Sequence, residues 1–429
     1  METNTINRDF ACITNDGEFF VISDESGFHL FSTAKKFTRV FSRLFLSTGI
    51  SKVYCLESSN LFVLIADGNN SKYPLSKLFL WDDLHLKTVM EIELKFPIRD
   101  IKMTLSHLFV VTLNELYVID LETKQITKRW CDNISNKLFR AGAIDVTCNK
   151  KHDYCLALPS LFRNDILIHN FTKDSNSRGL EYDSSKYQGL KFNKQGKWIA
   201  VVSLDGCKTT VFSIKRKGLF QEFKTGRKKK VKINSIAFSY DNKILAVIYR
   251  NGILQLFKIK GNPNNNDLAN TEKPIRCFLK MEFKKDKSVL DFNKNGDLII
   301  VFLSGIVNKI SIDIENKEAH IIQKFNYHES IQSQQDQNNN ESTQSTVDNT
   351  NKKDNKNEDG NKDEIVDEDN SEKKNVDEDQ EEENSDYELE LTKNDKENVQ
   401  KSKPKIKKKK KKKKKGKGEK RKKENDNED

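Results

Sequence analysis

Four segments of the chain carry the same short pattern, and a fold has to explain their recurrence. ITNDGEFFVI starts at Ile13, FNKQGKWIAV at Phe192, FSYDNKILAV at Phe238 and FNKNGDLIIV at Phe292. Each is the apolar end of one strand, a polar turn, and a second apolar run. Gly17, Gly196, Asn242 and Gly296 stand at the same place in the turn. A tight hairpin commonly needs positive φ there, which Gly and Asn tolerate at least steric cost. Each copy therefore reads as the first hairpin of a repeated unit.

Between the copies lie further strand-like runs, among them Leu61 to Ala66, Leu78 to Trp81, Leu108 to Leu113 and Tyr154 to Leu158, while helical periodicity is weak throughout. Unit starts fall near residues 9, 51, 98, 142, 187, 233 and 288, about 45 residues apart. That period is the one expected of a propeller with four-stranded blades. The reading is an all-β, seven-bladed propeller over residues 1–327, with no recurring GH…WD pairs and hence degenerate blades. Whether 318–325 or an N-terminal strand completes the ring is open at this level.

Apolar residues stop after about Phe325. Residues 328–400 are an acidic, Asn-rich linker with almost nothing to bury, and 401–429 carry an unbroken lysine run from Lys407 to Lys415. Ordering either would cost backbone entropy that no core offsets, so both are expected to be disordered. Basic and acidic residues number 50 and 35 in 1–327, 8 and 24 in 328–400, and 17 and 5 in 401–429, so the parts carry +15, −16 and +12. A propeller at +15 points to an anionic partner, whether a phosphorylated lipid surface or nucleic acid. The lysine tail reads as a second electrostatic anchor, a nucleic-acid tract, or low-complexity drift.

Seven cysteines are scattered without a CxxC pair, and METNTINRDF has no apolar signal core, so a reduced protein on the cytosolic side is expected. Apolar runs fall short of the roughly 20 residues needed to span a bilayer, which leaves peripheral membrane contact. The seven histidines are isolated, and HExxH, GxSxG and P-loop patterns do not occur. Asp82 and Asp83 are neighbours whose side chains point to opposite faces of a strand. No enzyme, cofactor or metal is expected, and a monomer is.

The strongest candidate for an anion site is 220–238, FQEFKTGRKKKVKINSIAF, in which Arg227, Lys228, Lys229, Lys230 and Lys232 connect two strand-like segments. Its plain alternative is a solvated lysine-rich loop.

SKYPLSKLFLWDD ending at Asp83, IRDIKMTLSHLFVVTLNELYVIDL from Ile98, and the text from Glu25 to Phe31 resemble, respectively, the second, third and first blades of the PROPPIN family, the phosphoinositide-binding β-propellers of autophagy. The likeness covers about residues 10–260, and 275–315 more loosely. It implies a non-enzymatic scaffold, cytoplasmic and peripherally bound to autophagic, endosomal or vacuolar membranes. Phosphatidylinositol 3-phosphate and a lipid-transfer protein are the implied partners.

By that resemblance Phe223, Lys224, Thr225 and Gly226 stand at the family's Phe/Leu-Arg-Arg-Gly turn, whose two arginines serve two head-group pockets. Lys224 keeps a charge without the bidentate fork of Arg, and Thr225 keeps none. Ser203 and Gly206 match the blade-five pocket, while Cys207 and Thr210 replace its Thr and Arg. The blade-six donors fall on Ile248, Tyr249, Ile253 and Gln255. The connector 261–274 holds one leucine and no aromatic where the family has a membrane-inserting loop. The expected phosphoinositide site is thus Ser203, Lys224, Thr225, Gly226, Arg227, Lys228, Lys229 and Lys230. Asp16 matches an acidic turn on the implied partner surface. The alternative is a protein-interaction propeller without specific lipid recognition, its basic tail on RNA or another anionic surface.

Overall fold

The computed structural model describes residues 10–332 apart from 57–58, 113, 132–143, 151–152, 160–165, 172–176, 181, 183–186, 217–219, 226–229, 263–266 and 269–272. The expected disorder of 328–400 and 401–429 therefore lies outside the described residues from 333 onward.

Seven antiparallel blades follow one another in chain order. Blade one is β1–β4 (Phe10–Ile13, Phe19–Ser23, Gly27–Ser32, Thr38–Leu44), and blade two is β5–β8 (Ile50–Cys55, Leu61–Ala66, Lys77–Asp82, Lys87–Glu93). Blade three is β9–β12 (Asp100–Met103, His107–Val111, Glu115–Asp120, Ile126–Cys131), and blade four is β13–β16 (Asp145–Lys150, Asp153–Pro159, Ile166–Asn170, Ser177–Leu180). Blade five is β17–β20 (Tyr187–Phe192, Trp198–Ser203, Lys208–Ser213, Phe220–Lys224). Blade six is β21–β23 (Ile233–Phe238, Ile244–Tyr249, Ile253–Lys258), completed after three short strands, β24–β26 (Gly261–Asn262, Asp267–Leu268, Ile275–Arg276), by β27 (Leu279–Glu282). Blade seven is β28–β31 (Ser288–Phe292, Leu298–Phe302, Ile306–Asp313, Glu318–Asn326). The first strand of every blade lines a central channel of about 600 Å³. Observed blade starts lie within three residues of those read from the repeat.

The four repeated turns are the same object. Gly17, Gly196, Asn242 and Gly296 have φ of 67°, 64°, 60° and 88°. Their amides donate to the carbonyls of Thr14, Asn193, Ser239 and Asn293 respectively. The side chains of those four residues in turn accept amides on the far side of the turn, for example Phe19 N on Thr14 Oγ1 and Ile244 N on Ser239 Oγ.

Alternation along the strands explains why the runs look uniformly apolar. In blade two, Val53, Phe62, Leu64, Phe79 and Trp81 pack toward blade one, and Tyr54, Val63, Ile65, Leu78 and Leu80 toward blade three. Both faces of a blade are buried, so apolar residues need not alternate with polar ones. One hydrophobic cluster fills each of the seven seams.

Ring closure is settled by the outermost strand β31 and by side chains. Residues 318–325 belong to β31, and β1 is the innermost strand of blade one, so no strand is exchanged across the seam. The seam is sealed by Phe20, Phe31 and Phe37 against Ile299, Val301, Val307 and Tyr327. A helical turn at 327–332 carries the chain back over it, where Ile331 is buried and Arg39 Nη1 donates to Ser330 O at 2.6 Å. Lys309 Nζ donates to Ala34 O at 2.7 Å from the other side. At the seam between blades one and two, Arg43 holds Asp83 with both nitrogens of a fork (2.6 and 2.9 Å), while Asp82 serves Leu84 N and His85. The neighbouring carboxylates have separate structural partners.

Candidate functional site

The expected site lies at one edge of blade five. Its floor is the β18–β19 turn: Ser203 Oγ donates to Asp205 Oδ1 at 2.5 Å and accepts Lys208 N at 3.1 Å, and Cys207 N donates to Asp205 Oδ1 at 2.9 Å. Ser203, then the Cys207 amide, then more distant Lys230 hold the Asp205 carboxyl below its ordinary value. Gly206 has φ of 69°, and a Cβ there would stand 2.0 Å from Val231 O, so only glycine lets the β20–β21 connector lie on this turn. Gln188 pins that connector, donating to Val231 O at 3.0 Å and accepting Ile233 N at 2.9 Å.

Strand β20 rises beside the turn. Phe223 is fully buried against Phe257 and fixes its register. Thr225 is buried, its amide and Oγ1 both donate to Cys207 O (3.1 and 3.2 Å), and its carbonyl accepts Gln255 Nε2 at 3.0 Å. The residue that lacks the family's second charge is thus a strut between blades five and six. Lys224 points to solvent.

What the sequence reading missed is the fifth strand of this sheet. Strand β26, the returning limb of the connector after β23, pairs in parallel with β20, setting Ile275 beside Phe223 and Arg276 beside Lys224. On the other side Lys208 of β19 is the antiparallel partner of Lys224. Directly paired residues share a face, so Lys208, Lys224 and Arg276 form a row of three cations across three strands. Glu222 is the carboxylate within the row, at 2.5 Å from Lys208 and 3.5 Å from Lys224. Burial disfavours its charge, but Lys208 and then Lys224 outweigh that and hold it below the usual carboxylate range. The row keeps a net charge of about +2 on this arithmetic, three cations against one anion.

Of the other expected residues, Lys230 is exposed, and Gly226, Arg227, Lys228 and Lys229 lie outside the described residues. Ile248, Tyr249, Ile253 and Gln255 are all buried, so core packing occupies the place of the second family pocket. Asp16 is also buried. It accepts Thr14 Oγ1 at 2.7 Å and pairs with Lys294 of blade seven at 3.4 Å, which ties its turn across the closing seam. The connector is more structured than a plain loop, with β24 and β25 forming a small hairpin ahead of β26.

Fold and edge define a class: a seven-bladed β-propeller whose candidate site is a cationic blade edge. No family model matches the chain. It is 23% identical over 276 residues to autophagy-related protein 18e of Arabidopsis thaliana and 26% over 275 residues to SVP1-like protein 2 of Schizosaccharomyces pombe, in each case covering 64% of this chain and 72% of the relative. Kluyveromyces lactis Hsv2 superposes with a TM-score of 0.61 at 15% identity, covering 74% of this chain and 98% of Hsv2. A structure of KlAtg21 in complex with the coiled coil of AgAtg16 gives 0.59, also at 15%, with the same coverage. The chain is thus similar to PROPPIN proteins, among them Atg18, SVP1-like and Hsv2 propellers, which are non-enzymatic scaffolds.

Proposed function

We propose that the chain is a scaffold that docks on phosphoinositide-bearing autophagic or endosomal membranes through the blade-five edge, with charge supplying most of the affinity. The carrying observation is the row Lys208–Lys224–Arg276, in which β26 returns beside Lys224 the second cation that Thr225 lacks. Each basic residue near an anionic surface is worth about 1 kcal/mol. Arg227 to Lys230 continue the same connector in sequence. Partner proteins are assigned to the exposed loops of blades one to three, the buried Asp16 serving only to hold its turn, and a lipid-transfer protein or a coiled coil like the one in the KlAtg21 complex is the proposed kind.

Loss of head-group donors at Ile248, Tyr249 and Ile253 favours a second reading, a protein-interaction propeller that senses anionic charge alone. Cosedimentation of the full chain, with and without 333–429, on phosphatidylinositol 3-phosphate vesicles and charge-matched phosphatidylserine vesicles separates the two. The proposal expects preference for the phosphoinositide at high salt, and a loss on the order of 100-fold when Lys208, Lys224 and Arg276 become Gln, about 3 kcal/mol for three cations. Undiminished binding by that triple variant overturns the edge. Equal binding to both vesicles, abolished by salt, establishes the second reading instead.

A further inference from the structure

The cationic row of blade five continues into an apolar contact surface. Phe220 stands two and four residues before Glu222 and Lys224 on β20, so the three share a face, and 38% of Phe220 is exposed. Its ring lies about 13 Å along the strand from Lys224. The edge therefore presents, in order, Lys224 flanked by Lys208 and Arg276, then the Glu222 carboxylate, then an aromatic ring. A matching ligand is an extended segment with a carboxylate, a neutral residue and an apolar ring at the same spacing.

The chain carries that order within 377–390, DEDQEEENSDYELE, which has nine acidic residues and no basic one. Glu383, Ser385 and Tyr387 are two residues apart and project to one side of an extended chain. Laid along β20, they set a carboxylate at Lys224, a hydroxyl at Glu222 and a phenol ring at Phe220. A shift of two residues would instead put Glu383 against Glu222, like charge on like, so the spacing selects one register. The described chain ends at Gln332, in the turn over the seam between blades one and seven, 45 residues before Asp377. That length spans up to about 150 Å, against a propeller about 50 Å across. Strands hold the row in place beforehand, so the contact has to order only one of its two sides.

We propose that residues 377–390 dock on the blade-five edge of their own chain and compete there with an anionic surface. The contact deepens the membrane-docking reading of this edge and rests on that reading for what it competes with. A tether of this kind holds the segment at an effective concentration on the order of 1 mM, so a contact of about 0.1 mM affinity covers the row about ten-fold more often than it leaves it open. Covering the row lowers its affinity for vesicles by about the same factor. Salt loosens the ion pairs, and a surface dense in anionic lipid displaces the segment.

Carbodiimide treatment of the dilute full chain tests the contact without any membrane, because it condenses a carboxylate with an amine that touches it and passes one water to the reagent. Trypsin releases 375–393 with all nine carboxylates, while acylated Lys208 and Lys224 stay within 198–215 and 218–227. The expected product is 375–393 joined to either of these, one water lighter than their sum. Coupling of Glu222 to Lys208 shows that the reagent has reached the row. That internal coupling with no product from 375–393 overturns the proposal, as does joining of 375–393 only to 401–429. A product shared between light and heavy-isotope chains in a mixture assigns the segment to a second copy and also overturns it. On phosphatidylinositol 3-phosphate vesicles, changing the nine acidic residues to Asn and Gln is expected to strengthen binding about 10-fold in the parent. In the protein with Lys208, Lys224 and Arg276 changed to Gln, the same change should strengthen it by less than about 2-fold. Equal strengthening in both backgrounds overturns the competition, since added net charge then accounts for it. A mapped cross-link with vesicle binding that ignores the row variant rejects the membrane reading and keeps the docking; weakened vesicle binding by the row variant with no cross-link does the reverse.

Discussion

Tyr327→Ala is expected to open the propeller at the seam between blades one and seven. Elsewhere the chain itself runs from one blade to the next, but here the ends are held by side chains and a few hydrogen bonds. Tyr327 is fully buried, its ring centroid lies 6.2 Å from Phe31, and its hydroxyl donates to Phe302 O at 3.1 Å. Emptying a buried aromatic site costs about 3–5 kcal/mol, of which the hydroxyl's hydrogen bond is about 1. Against a total stability on the order of 5–15 kcal/mol, that is a large share. Urea unfolding followed by the fluorescence of the propeller's tryptophans measures it. Tyr327→Phe should lose about 1 kcal/mol. Ile321→Ala, on the exposed outer strand, should change stability by less than about 0.5 kcal/mol. Truncation after 326 should match Tyr327→Ala or exceed it, because Ile331 and the Arg39 contact go as well. A Tyr327→Ala protein within about 1 kcal/mol of the parent would refute closure by side-chain packing.

Two other perturbations test the interior. Asp83→Asn leaves the buried Arg43 guanidinium without its countercharge and should cost about 3–5 kcal/mol by urea titration, whereas Arg43→Met with Asp83→Leu should recover most of it. His169, buried beside Phe171 and 3.0 Å from Lys128 Nζ, has its pKa lowered to about 4 by burial and then by Lys128. The imidazole stays neutral in the fold while the unfolded chain takes a proton near pH 6.5. Stability is therefore full above that value and falls as pH drops toward 4, by roughly 2–3 kcal/mol. His169→Phe should flatten this stretch of a melting-temperature profile against pH.

The blades were legible because their chemistry is local. A Gly or Asn at positive φ and an apolar run on either side describe one hairpin within ten residues, and repetition multiplied that weak signal. Thr225 shows where such reading stops. From the text it is a charge lost from the family's turn, but in the fold it is a strut donating to Cys207 O, with its carbonyl held by Gln255.

By itself, then, the amino-acid sequence determined the strand pattern, the number of blades, the positive edge in outline and the likeness to PROPPIN propellers. Tertiary structure decided how the ring closes and that Lys208 and Arg276 stand on either side of Lys224. These partners lie 16 and 52 residues from Lys224 along the chain. Such pairs are brought together by strand register and by packing across seams, and neither leaves a periodic trace in the order of the residues.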